Sequence, residues 1–131
     1  EAEVATDILK REWDKMVINC VVNPLSAILR VRDREVAAPE LRAIRRAIID
    51  ECASVADAEG VHLDGGLAAS IDRRIRHYEN YSSMYQDVMK GNDTEIGFLN
   101  AKIVELGKRH GIRAPVNESL VGLIRFMEAK K

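Results

Sequence analysis

The stretch Trp13-Asp14-Lys15-Met16-Val17-Ile18-Asn19-Cys20-Val21-Val22-Asn23-Pro24-Leu25 decides the fold, because two separate sets of residues recur in it with helical spacing. In a helix, Lys15, Asn19 and Asn23 stand four residues apart and fall within an arc of about 80°. A second stripe is apolar and can face a core: Leu9, Trp13, Met16 and Cys20. The sequence predicts an amphipathic helix whose polar face is either solvated or a binding site.

The polar face combines one ammonium group with two carboxamides. Lys15 supplies a point charge and a proton, whereas Asn19 and Asn23 offer donors and acceptors that can orient a small polar molecule. Pro24 cannot donate to the helix ladder and disfavours the helical conformation of the residue before it. We therefore expect a kink or break at Pro24, free backbone groups near Asn23, and a short helix over residues 25–29.

Composition excludes several classes of function. The chain has 131 residues, which is enough for one domain with its own core. Its formal net charge of -1 argues against nucleic-acid binding and gives no attraction to an anionic membrane. No apolar run approaches the ~18 residues of a membrane span, and the N-terminus shows no secretion signal.

The cysteines and histidines predict no special chemistry. Cys20 and Cys52 lie among apolar neighbours, which favours two reduced core residues over a disulfide or a reactive thiol. Reduced cysteines suit a reducing compartment, so we expect a cytoplasmic protein. The three histidines show no metal-ligand spacing, and no structural metal is expected.

Every other strong segment of the chain also has the helical period, and none alternates at period two. Proline and glycine residues stand at the expected starts and ends of these segments. Residues 31–38 are charged and irregular, and they predict a solvated connector. The chain is therefore predicted to form one compact all-α domain of six or seven helices over residues 1–131. The predicted helices cover about residues 2–23, 25–29, 39–60, 67–78, 82–91, 94–111 and 115–127.

Two groups of arginines lie off the apolar stripes of their helices. Both groups are predicted to face solvent, and a basic patch is the alternative for the first of them. The two groups are Arg42, Arg45 and Arg46, and Arg73, Arg74 and Arg76.

Three polar stretches and two late motifs, in this order, resemble the C-terminal domain of the ketopantoate reductases (2-dehydropantoate 2-reductases). The resemblance covers nearly the whole chain, from about Ala2 to Met127, and depends on the ordered set rather than on any single motif. The motifs are Lys15-x-x-x-Asn19-x-x-x-Asn23-Pro24-Leu25-Ser26-Ala27, Ser82-Ser83-Met84-x-Gln86-Asp87, Gly91-x-x-Thr94-Glu95-Ile96, Gly111-Ile112 and Pro115-x-Asn117.

The resemblance implies a helical domain like those of the 6-phosphogluconate-dehydrogenase-type reductases. In the family, an N-terminal Rossmann domain binds NADPH, and the 2-oxo acid substrate sits in the cleft between the two domains. By resemblance, Lys15 is the catalytic lysine that protonates the substrate carbonyl, and Asn19, Asn23 and Ser83 bind substrate. Glu95 corresponds to the glutamate that contacts the cofactor. These residue types suit the reaction, because a developing alkoxide needs a nearby cation and a proton donor.

The chain departs from the family pattern in three ways. Gly97 stands where the family usually has Asp, and it weakens the first turn of the predicted helix that carries Glu95. Asp33-Arg34 stands where the family commonly has Asn-Gly, and a carboxylate near an anionic substrate leaves open a different 2-oxo acid. The sequence also contains no glycine-rich dinucleotide loop, so this chain alone is expected to be inactive. A free-standing helical module for dimerisation or regulation is the remaining alternative, since family members often associate as homodimers through this domain.

Overall fold

The computed structural model describes residues 2–130, and the side chains of residues 5–130. All regular structure in this part of the chain is helical, which confirms the all-α prediction. The α-helices are α1 (Ala2–Leu29), α2 (Arg42–Ala58), α3 (Leu67–Ile75), α4 (Ser83–Lys90), α5 (Asn100–Arg109) and α6 (Pro115–Ala129). Short 3-10 helices cover Asp33–Ala37, Pro39–Leu41 and Ile96–Phe98. Among the described residues, no helix combines the length and apolar composition that a membrane crossing requires.

The long helix α1 lies at the centre of the fold and packs against α2, α3, α4 and α6. From Val17 onward, apolar residues occupy most of its surface and are buried, as expected of a helix with neighbours on several sides. Cys20 and Cys52 are both free and fully buried, in agreement with the prediction of core residues. A hydrogen bond to Cys52, together with burial, raises the pKa of the Cys20 thiol well above its ordinary value.

The predicted break at Pro24 is wrong, because α1 continues through the proline to Leu29. Proline in a helix interior leaves the carbonyl four residues earlier without its donor. Here that carbonyl belongs to Cys20, and the side chain of Asn100 donates to it at 3.0 Å. A donor from another helix therefore replaces the missing backbone N–H.

The predicted solvated connector is also wrong in part, because residues 33–37 form a 3-10 helix in which Val36 is fully buried. Arg45 holds this segment, and it is buried rather than solvated. Its guanidinium donates to the carbonyls of Val36 at 2.8 Å and Ala38 at 2.7 Å, and it forms a 2.8 Å ion pair with Asp72 of α3. Periodicity missed the burial because all three partners lie in other elements.

Several helix boundaries differ from the sequence prediction. The helix after Pro39 begins as a 3-10 turn, and α3 ends at Ile75 rather than at about Tyr78. The segment predicted as one helix over 94–111 is divided, because Leu99 adopts non-helical backbone angles between a 3-10 turn and α5. The predicted start of the last helix at Pro115 is confirmed.

Close packing at Gly107 leads to the first testable prediction. A Cβ atom at Gly107 would lie 2.6 Å from the backbone oxygen of Ile112 and 3.3 Å from a methyl group of Val55. We expect Gly107→Ala to lower the free energy of unfolding by about 1–3 kcal/mol, although alanine favours a helix more than glycine does. Thermal unfolding of the protein measures this.

Gly122 of α6 provides the matched control, because a Cβ there meets nothing within 4 Å. Gly122→Ala should raise the melting temperature slightly, since it adds up to about 1 kcal/mol of helix propensity without a clash. Equal stabilisation by both substitutions would contradict the close approach at Gly107.

Candidate active site

The polar face of α1 opens into a pocket of about 430 Å³. Lys15 and Asn19, both predicted from the sequence, line this pocket together. Lys15 is exposed and Asn19 is half-buried. Within the described part of the chain, no ion pair or hydrogen bond engages the Lys15 ammonium group, so it is available to a ligand. The remaining lining residues are Arg11, Asp14, Ile18, Arg74 and Tyr78.

Two arginines outside the predicted set of site residues add positive charge to the pocket. Arg11 stands one four-residue step before Lys15, so the period of the polar face could have identified it. Arg74 comes from α3 and is exposed, as predicted, and the packing of α3 beside α1 places it at this pocket. Three cations in one pocket favour an anionic ligand.

Asp14 is the acidic group of the same pocket. It is half-buried, and its Oδ1 atom has no hydrogen-bond partner. Burial raises the pKa of this carboxyl above its ordinary value, while the positive charges of Lys10 and Arg74 lower it.

Asn23 lies where α1 meets the beginning of α4. Ser26 donates a hydrogen bond to the Asn23 carbonyl at 3.1 Å, and its Oγ lies 2.6 Å from the Oγ of Ser82. Ser82 caps α4 by accepting from the backbone N–H of Tyr85 at 3.0 Å. Ser83 is the exposed first residue of that helix. Ser82, the neighbour of Ser83, therefore lies close to the turn of α1 that contains Asn23, whereas neither Asn23 nor Ser83 lines the pocket of Lys15 and Asn19.

Glu95 lies on a separate element, just before the 3-10 helix Ile96–Phe98, and it is exposed. Among the residues that the structure describes, no hydrogen bond or ion pair joins its carboxylate to Lys15 or to any other side chain. The carboxylate is therefore free to accept hydrogen bonds from a ligand.

Asp33 stands beside the junction of α1 and α4. It is half-buried, its Oδ1 atom has no hydrogen-bond partner, and its backbone N–H donates to the Asn80 carbonyl at 3.1 Å. Burial raises the pKa of Asp33 to about 6, and the neighbouring hydroxyl group of Ser26 partly opposes this shift. A carboxylate with this pKa remains mostly ionised at neutral pH, at a cost to the folded state.

Comparison with known proteins identifies the family to which this arrangement belongs. Residues 7–128 match the family described as "Ketopantoate reductase PanE/ApbA C terminal". The chain belongs to this family. It is a ketopantoate reductase C-terminal domain, as the motif order had indicated.

Curated relatives of the domain are named 2-dehydropantoate 2-reductase. The protein of Archaeoglobus fulgidus is 40% identical over 131 residues, which cover 98% of this chain and 44% of that protein. The protein of Vibrio cholerae serotype O1 is 36% identical over 127 residues, which cover 93% of this chain and 42% of the relative. The chain thus spans less than half the length of these relatives.

Solved structures show the same fold. A PanE/ApbA family ketopantoate reductase from Ralstonia eutropha JMP134 superposes with a TM-score of 0.84 at 37% identity, over 92% of this chain and 41% of that one. D-Mandelate dehydrogenase with NADH and anilino(oxo)acetate also superposes with a TM-score of 0.84, at 29% identity, over 90% of this chain and 67% of the other.

The half-buried carboxyl of Asp33 in this ketopantoate reductase domain predicts that stability depends on pH. The pKa of Asp33 is about 6 in the folded state and 3.8 in the reference state, so the folded protein binds more protons between these values. Stability therefore falls as pH rises from about 4 to about 6, and we expect Asp33→Asn to raise the free energy of unfolding at pH 7.5 by about 1–2 kcal/mol.

Thermal unfolding of both proteins at pH 4.5 and 7.5 checks this prediction. The gain from Asp33→Asn should be smaller at pH 4.5, because the wild-type carboxyl is then mostly protonated in the folded state. Asp50→Asn is the matched control, since Asp50 is exposed on α2. If Asp33→Asn raised the free energy of unfolding equally at both pH values, burial of the Asp33 carboxyl would not be the cause.

Proposed function

We propose that this domain is the substrate-binding part of an NADPH-dependent reductase that converts ketopantoate to pantoate in pantothenate and coenzyme A biosynthesis. The observation that carries the proposal is the pocket in which an unpaired Lys15 and Asn19 lie together, in a chain of the ketopantoate reductase family. An anionic 2-oxo acid suits this pocket, because Arg11 and Arg74 also line it.

In this mechanism, Lys15 donates its proton to the carbonyl oxygen of the substrate and stabilises the negative charge that develops there. Asn19 and Asn23 orient the carbonyl and hydroxyl groups without adding charge. Ser83, at the first turn of α4, binds the carboxylate in this proposal, since hydroxyl and amide donors at a helix N-terminus favour anions. The cationic lining attracts the substrate to this end of α1.

A nicotinamide cofactor, when bound, supplies the hydride. We propose that a Rossmann domain of the same protein provides most of its binding site, and two findings support this. The curated reductases are more than twice as long as the region matched here, and the D-mandelate dehydrogenase structure contains NADH. This domain contributes Glu95 to the cofactor site, because its exposed carboxylate can accept hydrogen bonds from cofactor hydroxyl or amide groups.

A second candidate is reduction of a different 2-oxo acid by the same machinery. The likeness to D-mandelate dehydrogenase favours it, and so does the half-buried carboxyl of Asp33 where the family pattern has asparagine. In this alternative Lys15 keeps its role, and only the groups that recognise the rest of the substrate differ.

The test is a steady-state assay of the full-length protein with ketopantoate and with an aromatic 2-oxo acid, each with NADPH and with NADH. We expect kcat/KM for ketopantoate with NADPH to exceed that of each other pair by at least about tenfold. Preference for the aromatic acid would support the second candidate. Absence of turnover with both acids would contradict the reductase proposal and favour a module without catalysis.

A further inference from the structure

A chain of buried side-chain amides is attached to the turn of α1 that carries Asn19 and Asn23. Pro24 has no N–H, so the carbonyl of Cys20 lacks the donor that an α-helix normally supplies. The Nδ2 atom of Asn100 lies 3.0 Å from this carbonyl oxygen, and the Asn100 side chain is fully buried. A residue 80 positions away thus completes the hydrogen bonding of α1.

Asn100 is itself held by Asn117, and Asn117 is in turn held by Glu51. Its Nδ2 carries two hydrogens, and it also lies 2.9 Å from the Oδ1 atom of Asn117. The Nδ2 of Asn117 donates to Glu51 at 2.8 Å, and Glu51 also accepts from the backbone N–H groups of Val116 and Asn117, both at 2.9 Å. The network connects α1, α2, α5 and α6, and it uses both donor hydrogens of Asn100.

We propose that Asn100 is a positioning residue: it replaces the backbone donor that Pro24 removes and so fixes the turn of α1 that presents Asn19 and Asn23 to the substrate. A buried carbonyl without a donor is unfavourable. Without Asn100, this turn shifts until the Cys20 carbonyl reaches water or another donor, and the two asparagines move with it. The effect on substrate rests on the proposed function, whereas the hydrogen bond does not.

A double-mutant cycle between positions 24 and 100 tests this, because Pro24→Ala returns a backbone N–H to the Cys20 carbonyl. We expect Asn100→Ala alone to lower Tm by about 5–10 °C, since it leaves a buried carbonyl unsatisfied. In the full-length reductase it should raise the KM for the 2-oxo acid about tenfold, the effect of one weakened substrate hydrogen bond, with little change in the KM for the cofactor.

In the Pro24→Ala background, Asn100→Ala should lower Tm and raise KM clearly less, because the restored N–H satisfies the Cys20 carbonyl and only the hydrogen bond to Asn117 is lost. Asn92→Ala is the matched control, since Asn92 is exposed and its side chain takes no part in the network. It should change neither Tm nor KM.

Equal losses in the two backgrounds would overturn the proposal, because Asn100 would then act independently of the gap at Pro24. A loss of Tm without a change in KM would also overturn it and leave Asn100 with a purely structural role. If Asn100→Ala alone does not fold, a double variant that folds supports the proposal and one that does not fold overturns it. The Tm loss caused by Asn100→Ala is compared between the two backgrounds without substrate. This comparison therefore does not depend on whether the wild-type protein reduces a 2-oxo acid.

Discussion

Substitution of Lys15 by alanine in the full-length protein is expected, under the proposed function, to lower kcat for ketopantoate by about 10²–10⁴-fold, the range that general acid catalysis contributes. The side chain lines the pocket and has no partner within the described part of the chain. Its removal therefore deletes a proton donor and a cation without disturbing a structural contact. The melting temperature should remain close to that of the wild type. Steady-state kinetics with circular dichroism of the variant measures both quantities.

Two further variants separate the proton from the charge. Lys15→Arg keeps a cation but places a group in the pocket that does not release its proton, so KM should recover more than kcat. Lys10→Ala is the matched control on the same helix, where Lys10 forms a 3.1 Å ion pair with Asp64 outside the pocket. Because surface ion pairs contribute little to stability, we expect near wild-type activity and Tm. A decrease of less than about tenfold in Lys15→Ala would exclude the general-acid role.

Arg45→Met is expected to lower the free energy of unfolding by about 3–5 kcal/mol, which is the typical cost of removing one partner of a buried ion pair. The side chains of Arg45 and Asp72 are only 4% and 15% exposed. The substitution leaves the Asp72 carboxylate unpaired and removes the donors to the carbonyls of Val36 and Ala38. We expect Tm to fall by about 10–20 °C in thermal unfolding.

The control for Arg45→Met is Arg42→Met, which removes an exposed arginine from the same helix and should change the free energy of unfolding by no more than about 0.5 kcal/mol. Adding Asp72→Asn to Arg45→Met removes the unpaired charge and should recover part of the loss. A similar Tm for the Arg45 and Arg42 variants would show that the buried ion pair does not stabilise the fold.

Local spacing was sufficient to predict most of the fold and part of the candidate site. Helical periodicity depends only on the order of residues along one segment, so it identified the all-α class and the helix that starts at Pro115. The same period placed Lys15, Asn19 and Asn23 on one face of α1, and the structure finds the first two in one pocket. Motif order indicated the family, which the match over residues 7–128 confirms.

The remaining features depend on partners that are distant in sequence. Arg74 belongs to the pocket only because α3 packs against α1, and Arg45 is buried only because Asp72 and two backbone carbonyls surround it. Pro24 predicted a break in α1 from local rules, which contain no information about Asn100. A side chain from α5 supplies the missing donor, so the helix continues. The sequence by itself determined which residues share a helix face, because that follows from the geometry of a single helix. Only the tertiary structure decided which polar groups are buried, because burial and hydrogen bonding depend on the packing of several helices.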